Sequence, residues 1–137
     1  MSAKDLAEPI IRRHEGTRSK IYKDSVGVPT IGIGRNLEDP GLSDDEIEYL
    51  FANDMKRALE TASAYSYWDT LTDTRKAALV NMAFQLGPSR LAGFVNMHRA
   101  LALGDHTQAA RECLDSQYAK QVPDRASEIA SMIRGDE

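Results

Sequence analysis

The sequence predicts an α+β fold, a small β element near the N-terminus followed by a largely helical body. Three observations carry that reading. Residues 20–34 alternate and turn like strands, residues 43 onward fall into successive stretches of helical period, and the breaks between those stretches hold Gly, Pro, Ser or Asp. The chain has 137 residues, enough for one ordinary domain whose core needs neither disulfide nor metal. Its 42% hydrophobic and 28% charged residues are the balance of a folded globular chain rather than a disordered one. We expect one domain over residues 1–137, built as two lobes with a cleft between them.

The first helix is expected over Ala3 to His14, where Leu6, Ile10 and Ile11, with Ala3 and Ala7, recur at helical spacing. Gly16 is its stop, a residue free to take positive φ beyond a helix end, and this puts Glu15 at or near the last turn. Lys20 to Lys23 reads as a strand, Asp24-Ser25-Val26-Gly27 as a turn, and Val28 to Gly34 as a second strand. In that second strand Ile31 and Ile33 share one face, while Thr30, Gly32 and Gly34 share the other. A face with two glycines packs poorly, so another group is expected to approach that backbone closely.

A loop is expected over Arg35 to Leu42. Ser43-Asp44-Asp45-Glu46 is a capping box, and it opens an amphipathic helix with Ile47, Leu50, Phe51, Met55, Ala58 and Leu59 on one face. The period breaks from Tyr65 to Leu71. Thr72 or Thr74 then caps a helix whose Ala77 to Phe84 stretch is apolar nearly all round, the mark of a buried central helix. Gly87-Pro88-Ser89 ends that helix and caps the next, which runs to Leu103. Gly104-Asp105 repeats the device for Thr107 to Leu114, and a last helix runs from Pro123 to Arg134.

The formal net charge is -4, which argues against a generic nucleic-acid binder. The acidity is local: residues 41–60 carry six Asp/Glu against two Lys/Arg, and we read that run as a solvated helix face. Cys113 is the single cysteine, so no internal disulfide is possible, and its surroundings make it a small helix-packing residue rather than a reactive thiol. His14, His98 and His106 form no metal-ligand spacing with each other or with Cys113, so neither a metal nor any other cofactor is expected. No apolar run approaches the roughly 20 residues of a membrane span, and residues 1–14 lack the apolar stretch of a secretory signal. We therefore expect a chain made in a cytoplasm that neither exports itself by that route nor inserts stably in a membrane.

Glu15 is unusual as a carboxylate at the negative end of a helix macrodipole, a field that disfavours ionisation and suits a general acid. Asp24 opening a turn and Thr30 in a strand are bland alone. Together the three lie on the two sides of one helix-to-hairpin unit, and two carboxylates flanking a groove are what glycoside hydrolysis needs.

Glu15-Gly16, then Lys20-Ile21-Tyr22-Lys23-Asp24, then Gly27-Val28-Pro29-Thr30-Ile31-Gly32-Ile33-Gly34 resembles the catalytic signature of T4-type phage lysozymes. The spacing, Glu then eight residues then Asp then five then Thr, matches that family's catalytic triad. Two further blocks match in the family's order: Arg75 to Gly87 with Ala92-Gly93-Phe94, and Gln121 to Ala126.

The resemblance implies a lysozyme-like fold, and hydrolysis with inversion of the β-1,4 bond between N-acetylmuramic acid and N-acetylglucosamine in peptidoglycan. By position Glu15 is the proton donor, and Asp24 and Thr30 hold and activate the attacking water. Phe84 and Gln85 match cleft-lining residues, Gly34 lies on the glycine-bearing face, and Arg125 matches an arginine that pairs with the catalytic glutamate. These four are the expected substrate-binding residues. Tyr118 stands in place of a tryptophan, and Met97 and Glu112 replace polar saccharide contacts. Arg35 stands where a histidine is usual and is either a saccharide contact or a lobe-stabilising ion pair; Asn36 replaces a residue that is commonly apolar.

The resemblance further implies a phage or prophage endolysin, monomeric, held in the host cytoplasm and released to the wall in the periplasm by a holin-type membrane protein. A virion-borne lysozyme acting at entry shares the chemistry. A lysozyme-fold binding or scaffold module without turnover is the alternative from another class, and the intact Glu15, Asp24 and Thr30 set weighs against it.

Overall fold

The structure, a computed structural model, describes residues 1–135 and divides into two compact units, Met1–Leu50 and Phe51–Glu137. The observed architecture is α+β, with a three-stranded sheet in the first unit and helices throughout the second.

In the first unit, α1 spans Ala3–Glu15. Ser2 starts it with a reciprocal capping box: its hydroxyl accepts from the Asp5 N–H at 3.1 Å, and Asp5 Oδ2 accepts from the Ser2 N–H at 3.2 Å. Gly16 stops it at φ 70°, with its N–H returned to the Arg12 carbonyl. The apolar positions that predicted α1 do form a helix, yet Leu6, Ile10 and Ile11 are exposed and α1 buries none of its residues.

The sheet has order β1-β2-β3, all antiparallel, with β1 at Arg18–Lys23, β2 at Pro29–Gly32 and β3 at Arg35–Asn36. Two expectations are corrected here. The second strand stops at Gly32 instead of running to Gly34, and residues 35–36 pair as a strand where a loop was expected. The reason is backbone conformation: Gly32 and Gly34 both take positive φ, 71° and 73°, so the chain turns at Ile33 and folds back on β2.

Helix α2, Asp44–Ser63, begins at Ser43 as predicted, with the Ser43 N–H donating to Glu46 Oε1 at 3.0 Å. The division between units falls within it, after Leu50. Of its apolar face only Ala58 is buried, together with Ala62, while Ile47, Leu50, Phe51, Met55 and Leu59 remain exposed.

The second unit continues through a 3-10 turn, Trp68–Thr70, into α3 (Asp73–Ala92), α4 (Val95–Leu103), α5 (His106–Leu114), α6 (Gln117–Gln121) and α7 (Pro123–Arg134). Thr72, rather than Thr74, caps α3, accepting from the Arg75 N–H. Gly87, at φ 78° and ψ 173°, breaks the helical path before Pro88 as predicted, and a second break that was not expected follows at Gly93-Phe94, ahead of α4. The short helix α6 was not anticipated. Nor is α3 buried all round: Ala78, Leu79, Met82, Ala83 and Leu86 face the core, whereas Ala77, Asn81 and Phe84 are exposed.

The core is built on Leu79, Met82, Leu91, Met97, Ile129 and Ile133, with Ala78, Ala109, Ala110, Ala126 and Ala130 letting helices approach closely. Helix α7 packs against α3 and α5, and α4 against α5. Arg75 fastens the end of α7, donating from Nε to the Ile133 carbonyl at 2.7 Å and from Nη2 to that of Arg134 at 3.1 Å. Cys113 is buried, and burial pushes its thiol up to about 11, which suits the packing role read from sequence. No helix among the described residues is long and apolar enough to cross a membrane.

One polar cluster crosses this core. The Tyr65 ring stacks on His98 at 4.2 Å, the Tyr67 hydroxyl donates to His98 Nδ1 at 2.6 Å, and His98 Nε2 donates to the Leu91 carbonyl at 2.8 Å. That pattern needs a neutral imidazole, and burial lowers the His98 pKa. The unfolded chain therefore takes up the proton first as pH falls through about 6.5, and the native state loses stability over that window. His98→Leu is expected to be less stable at neutral pH, because Tyr67 loses its acceptor, yet to show a shallower decline in urea midpoint between about pH 7.5 and 5.5. Parallel slopes for the two proteins would count against a neutral His98.

Candidate active site

Asp24 and Thr30 are joined through the backbone of a single residue, Val28. Asp24 closes the β1–β2 turn with Oδ1, which accepts from the N–H groups of Val26 and Val28, both at 2.9 Å. The Val28 carbonyl accepts from the Asp24 N–H at 3.0 Å and from the Thr30 hydroxyl at 2.8 Å. Val28 thus fixes both side chains. Thr30 is 4% exposed, the one buried polar side chain among the described residues. Its proton is committed to Val28, so its free lone pair can only accept. Asp24 Oδ1 is likewise committed, and Oδ2 makes no hydrogen bond among the described residues. The pair presents two acceptors, the arrangement that holds a water by both its hydrogens.

Glu15 lies beyond the other end of the same ladder. Strand β1 starts three residues after it, with Arg18 opposite Gly32, and ends with Lys23 opposite Pro29, one residue before Asp24. The four-residue β2 spacer is about 10 Å long at roughly 3.3 Å per residue. The Glu15 side chain is exposed and lies against Gly34: a Cβ at Gly34 would stand 2.8 Å from Oε2 and 2.9 Å from Cδ. This is the close approach that the glycine-bearing face predicted. Gly32 has nothing within 4 Å of such a Cβ, so the expectation holds at one glycine of the two.

In the helical unit, Phe84 and Arg125 line a groove of about 630 Å³ with Phe51, Trp68, Val80 and Asn81. Phe84 is 40% exposed and meets Phe51 edge-on at 5.7 Å, which removes the possibility that it is a core aromatic. Arg125 donates from Nε to Asn81 Oδ1 at 2.9 Å. Gln85 is half-buried, and its Oε1 is buried without a hydrogen-bond partner among the described residues. Tyr118 is buried edge-on against Phe94 at 6.0 Å.

The departures noted in the sequence also find their places. Met97 is a fully buried core residue. Glu112 accepts from Gln108 Nε2 at 2.9 Å. Asn36 Oδ1 accepts from the N–H groups of Glu38 and Asp39, at 2.9 and 3.0 Å, so it shapes the turn after β3. Arg35 pairs with Glu46 at 2.5 Å, which selects the ion pair between its two readings. The Val28 hub went unread, although Asp followed by a Ser/Gly turn was its visible signal.

In this α+β fold a helix-end glutamate precedes a short hairpin whose turn carries an aspartate. Comparison with known proteins carries this further. The phage lysozyme family model matches residues 12–129, and the chain belongs to that family and is a lysozyme-type enzyme. It is 31% identical, over 90% of its length, to the pre-baseplate central spike protein of Enterobacteria phage T4, of which it spans only 27%. It is 28% identical to the probable T4-type lysozyme 2 of Dictyostelium discoideum, with 96% of this chain and 93% of the relative covered. It is 30% identical to the endolysin of Salmonella phage P22, with 83% and 82% covered.

Gly34→Ala and Gly32→Ala separate strain from contact. Each forces a non-glycine residue to positive φ, costing about 1–3 kcal/mol, but only the first pushes a methyl into the Glu15 carboxylate. Gly34→Ala is expected to lose about 10-fold more activity than Gly32→Ala at matched loss of thermal stability. Equal activities would show that the Glu15–Gly34 contact is unimportant.

Proposed function

We propose that the chain hydrolyses the β-1,4 bond between N-acetylmuramic acid and N-acetylglucosamine in bacterial peptidoglycan, with inversion at the anomeric carbon, as one domain over residues 1–137. The observation that carries this reading is the shared anchorage of Asp24 and Thr30 on Val28, which leaves two acceptors free for one water. Glu15 gives its proton to the glycosidic oxygen as the bond from the anomeric carbon to that oxygen breaks. The water attacks the opposite face of the sugar, and Asp24 receives its proton. Inverting sites keep their carboxylates about 6.5–9.5 Å apart to admit that water. Gly34, Phe84, Gln85 and Arg125 are the proposed saccharide contacts, supported by the exposed Phe84 ring and the unpartnered Gln85 oxygen.

The setting we propose is that of a monomeric endolysin, held in the host cytoplasm and brought to the periplasmic wall with a holin-type membrane protein. The likeness to a phage T4 spike protein supports a second setting, in which a virion carries the same chemistry.

Purified protein is expected to clear permeabilised Gram-negative cells. Glu15→Gln should lower the rate by about 10²–10⁴-fold with an unchanged circular dichroism spectrum. Asp24→Asn keeps an Oδ1 acceptor for the turn and should fold normally but lose turnover. Proton NMR of the first product formed should show the α anomer. Full activity in Glu15→Gln would remove it as the acid, and an initial β anomer would remove inversion.

A further inference from the structure

Strand β3 has two residues, and its pairing with β2 amounts to Thr30 opposite Asn36 and Ile31 opposite Arg35, with one more bond from the Leu37 N–H to the Pro29 carbonyl at 2.9 Å. So short a strand is weakly fixed by its ladder. Immediately before it stands Gly34, the backbone against which the Glu15 carboxylate rests. What fixes β3 is the Arg35 side chain. Its Nη1 donates to the Gly41 carbonyl at 3.1 Å and to Glu46 Oε1 at 2.5 Å. The same Oε1 accepts from the Ser43 N–H at 3.0 Å and from the Ser43 hydroxyl at 2.8 Å. One carboxylate oxygen therefore gathers β3, the 37–43 segment and the first turn of α2.

We propose that Arg35 is a positioning residue of the reaction: by clamping β3 to Glu46 and Gly41 it holds the Gly34 backbone at the height on which the Glu15 carboxylate rests. This rests on the reading of Glu15 as the proton donor. The Arg35 Nη1 is engaged by Glu46 and the Gly41 carbonyl, which orients the guanidinium into the clamp. Global stability is a poor explanation for the clamp, since ion pairs as accessible as this one contribute little to folding. The pair also persists wherever the enzyme is folded. Arg35 and the Ser43 donors draw the Glu46 carboxyl down to about 2, so protonation releases the clamp only in strong acid. A small error in the placement of an acid relative to the glycosidic oxygen falls on the rate constant for chemistry, not on substrate binding.

The test uses soluble, uncross-linked glycan strands as substrate, at a temperature well below the thermal midpoint of every variant. Arg35→Ala is expected to lower kcat about 10-fold with KM within about twofold of wild type. Arg35→Lys restores a cation able to reach the same two acceptors and should recover most of kcat. Glu46→Gln keeps the Ser43 bonds but loses the ionic tie, so it should fall between, and it carries the test alone if Arg35→Ala does not fold. A raised KM with unchanged kcat would make Arg35 a saccharide contact and overturn the proposal. A lowered thermal midpoint with kcat unchanged would make it merely structural, with the same result. Glu15→Gln, run alongside, keeps the two readings apart. If it stays active the acid assignment fails on its own, whereas an inactive Glu15→Gln beside a kcat-neutral Arg35→Ala overturns only the clamp.

Discussion

Val28 offers one N–H and one C=O, and both are spent on the residues proposed for the water side of the reaction. The N–H fixes Asp24 Oδ1, while the C=O takes the Thr30 hydroxyl proton along with the Asp24 N–H. A backbone group moves far less than a surface side chain, so two side chains tied to the backbone of one residue are held in common. The same ties decide their chemistry. A threonine whose proton is already donated can only accept, and an aspartate with one oxygen engaged has one left to offer. Positioning and the proposed acceptor roles come from the same three hydrogen bonds.

The acid side is built on a different principle. Glu15 ends a helix that buries none of its residues, and no tight network holds its carboxylate. Its definition comes from the backbone it lies on, a Gly34 peptide turned by positive φ and set by whatever fixes β3. A side chain would fill the space the carboxylate occupies. The proposed water side is thus defined by hydrogen bonds and the proposed acid side by the absence of an atom.

That difference explains what was legible in the sequence. Helix starts were readable at Ser43 and Asp105, where a polar side chain caps the next turn, and at Pro123, whose fixed φ suits a first helical position. The Glu15, Asp24 and Thr30 spacing was readable because helix end, turn and strand are consecutive elements. Three things were not. The break at Gly93-Phe94 was not read, since it follows the break at Gly87 by only six residues and Gly93 itself keeps a helical φ of -67°. Strand β3 looked like loop because two residues carry no period. The partner of Arg35 is eleven residues away and was decided by how the 37–43 segment folds back, which no local pattern encodes.

The two units are also stabilised differently. The helical unit carries the buried side chains, from Ala58 to Ile133, whereas the first unit buries only Thr30. A unit of fifty residues with a three-stranded sheet has little interior to fill, so its order must come from turns, caps and ion pairs. Such ties hold local geometry without adding much global stability. The residues proposed for chemistry therefore sit where a substitution changes geometry more than it changes folding. Loss of a core contact in the helical unit, such as Ile129 between α7 and its neighbours, acts the other way and removes folding free energy without touching the hydrogen bonds around Val28. The residues proposed for proton transfer and the core that supplies folding free energy thus fall in different units, because polar ties specify the one and apolar burial the other.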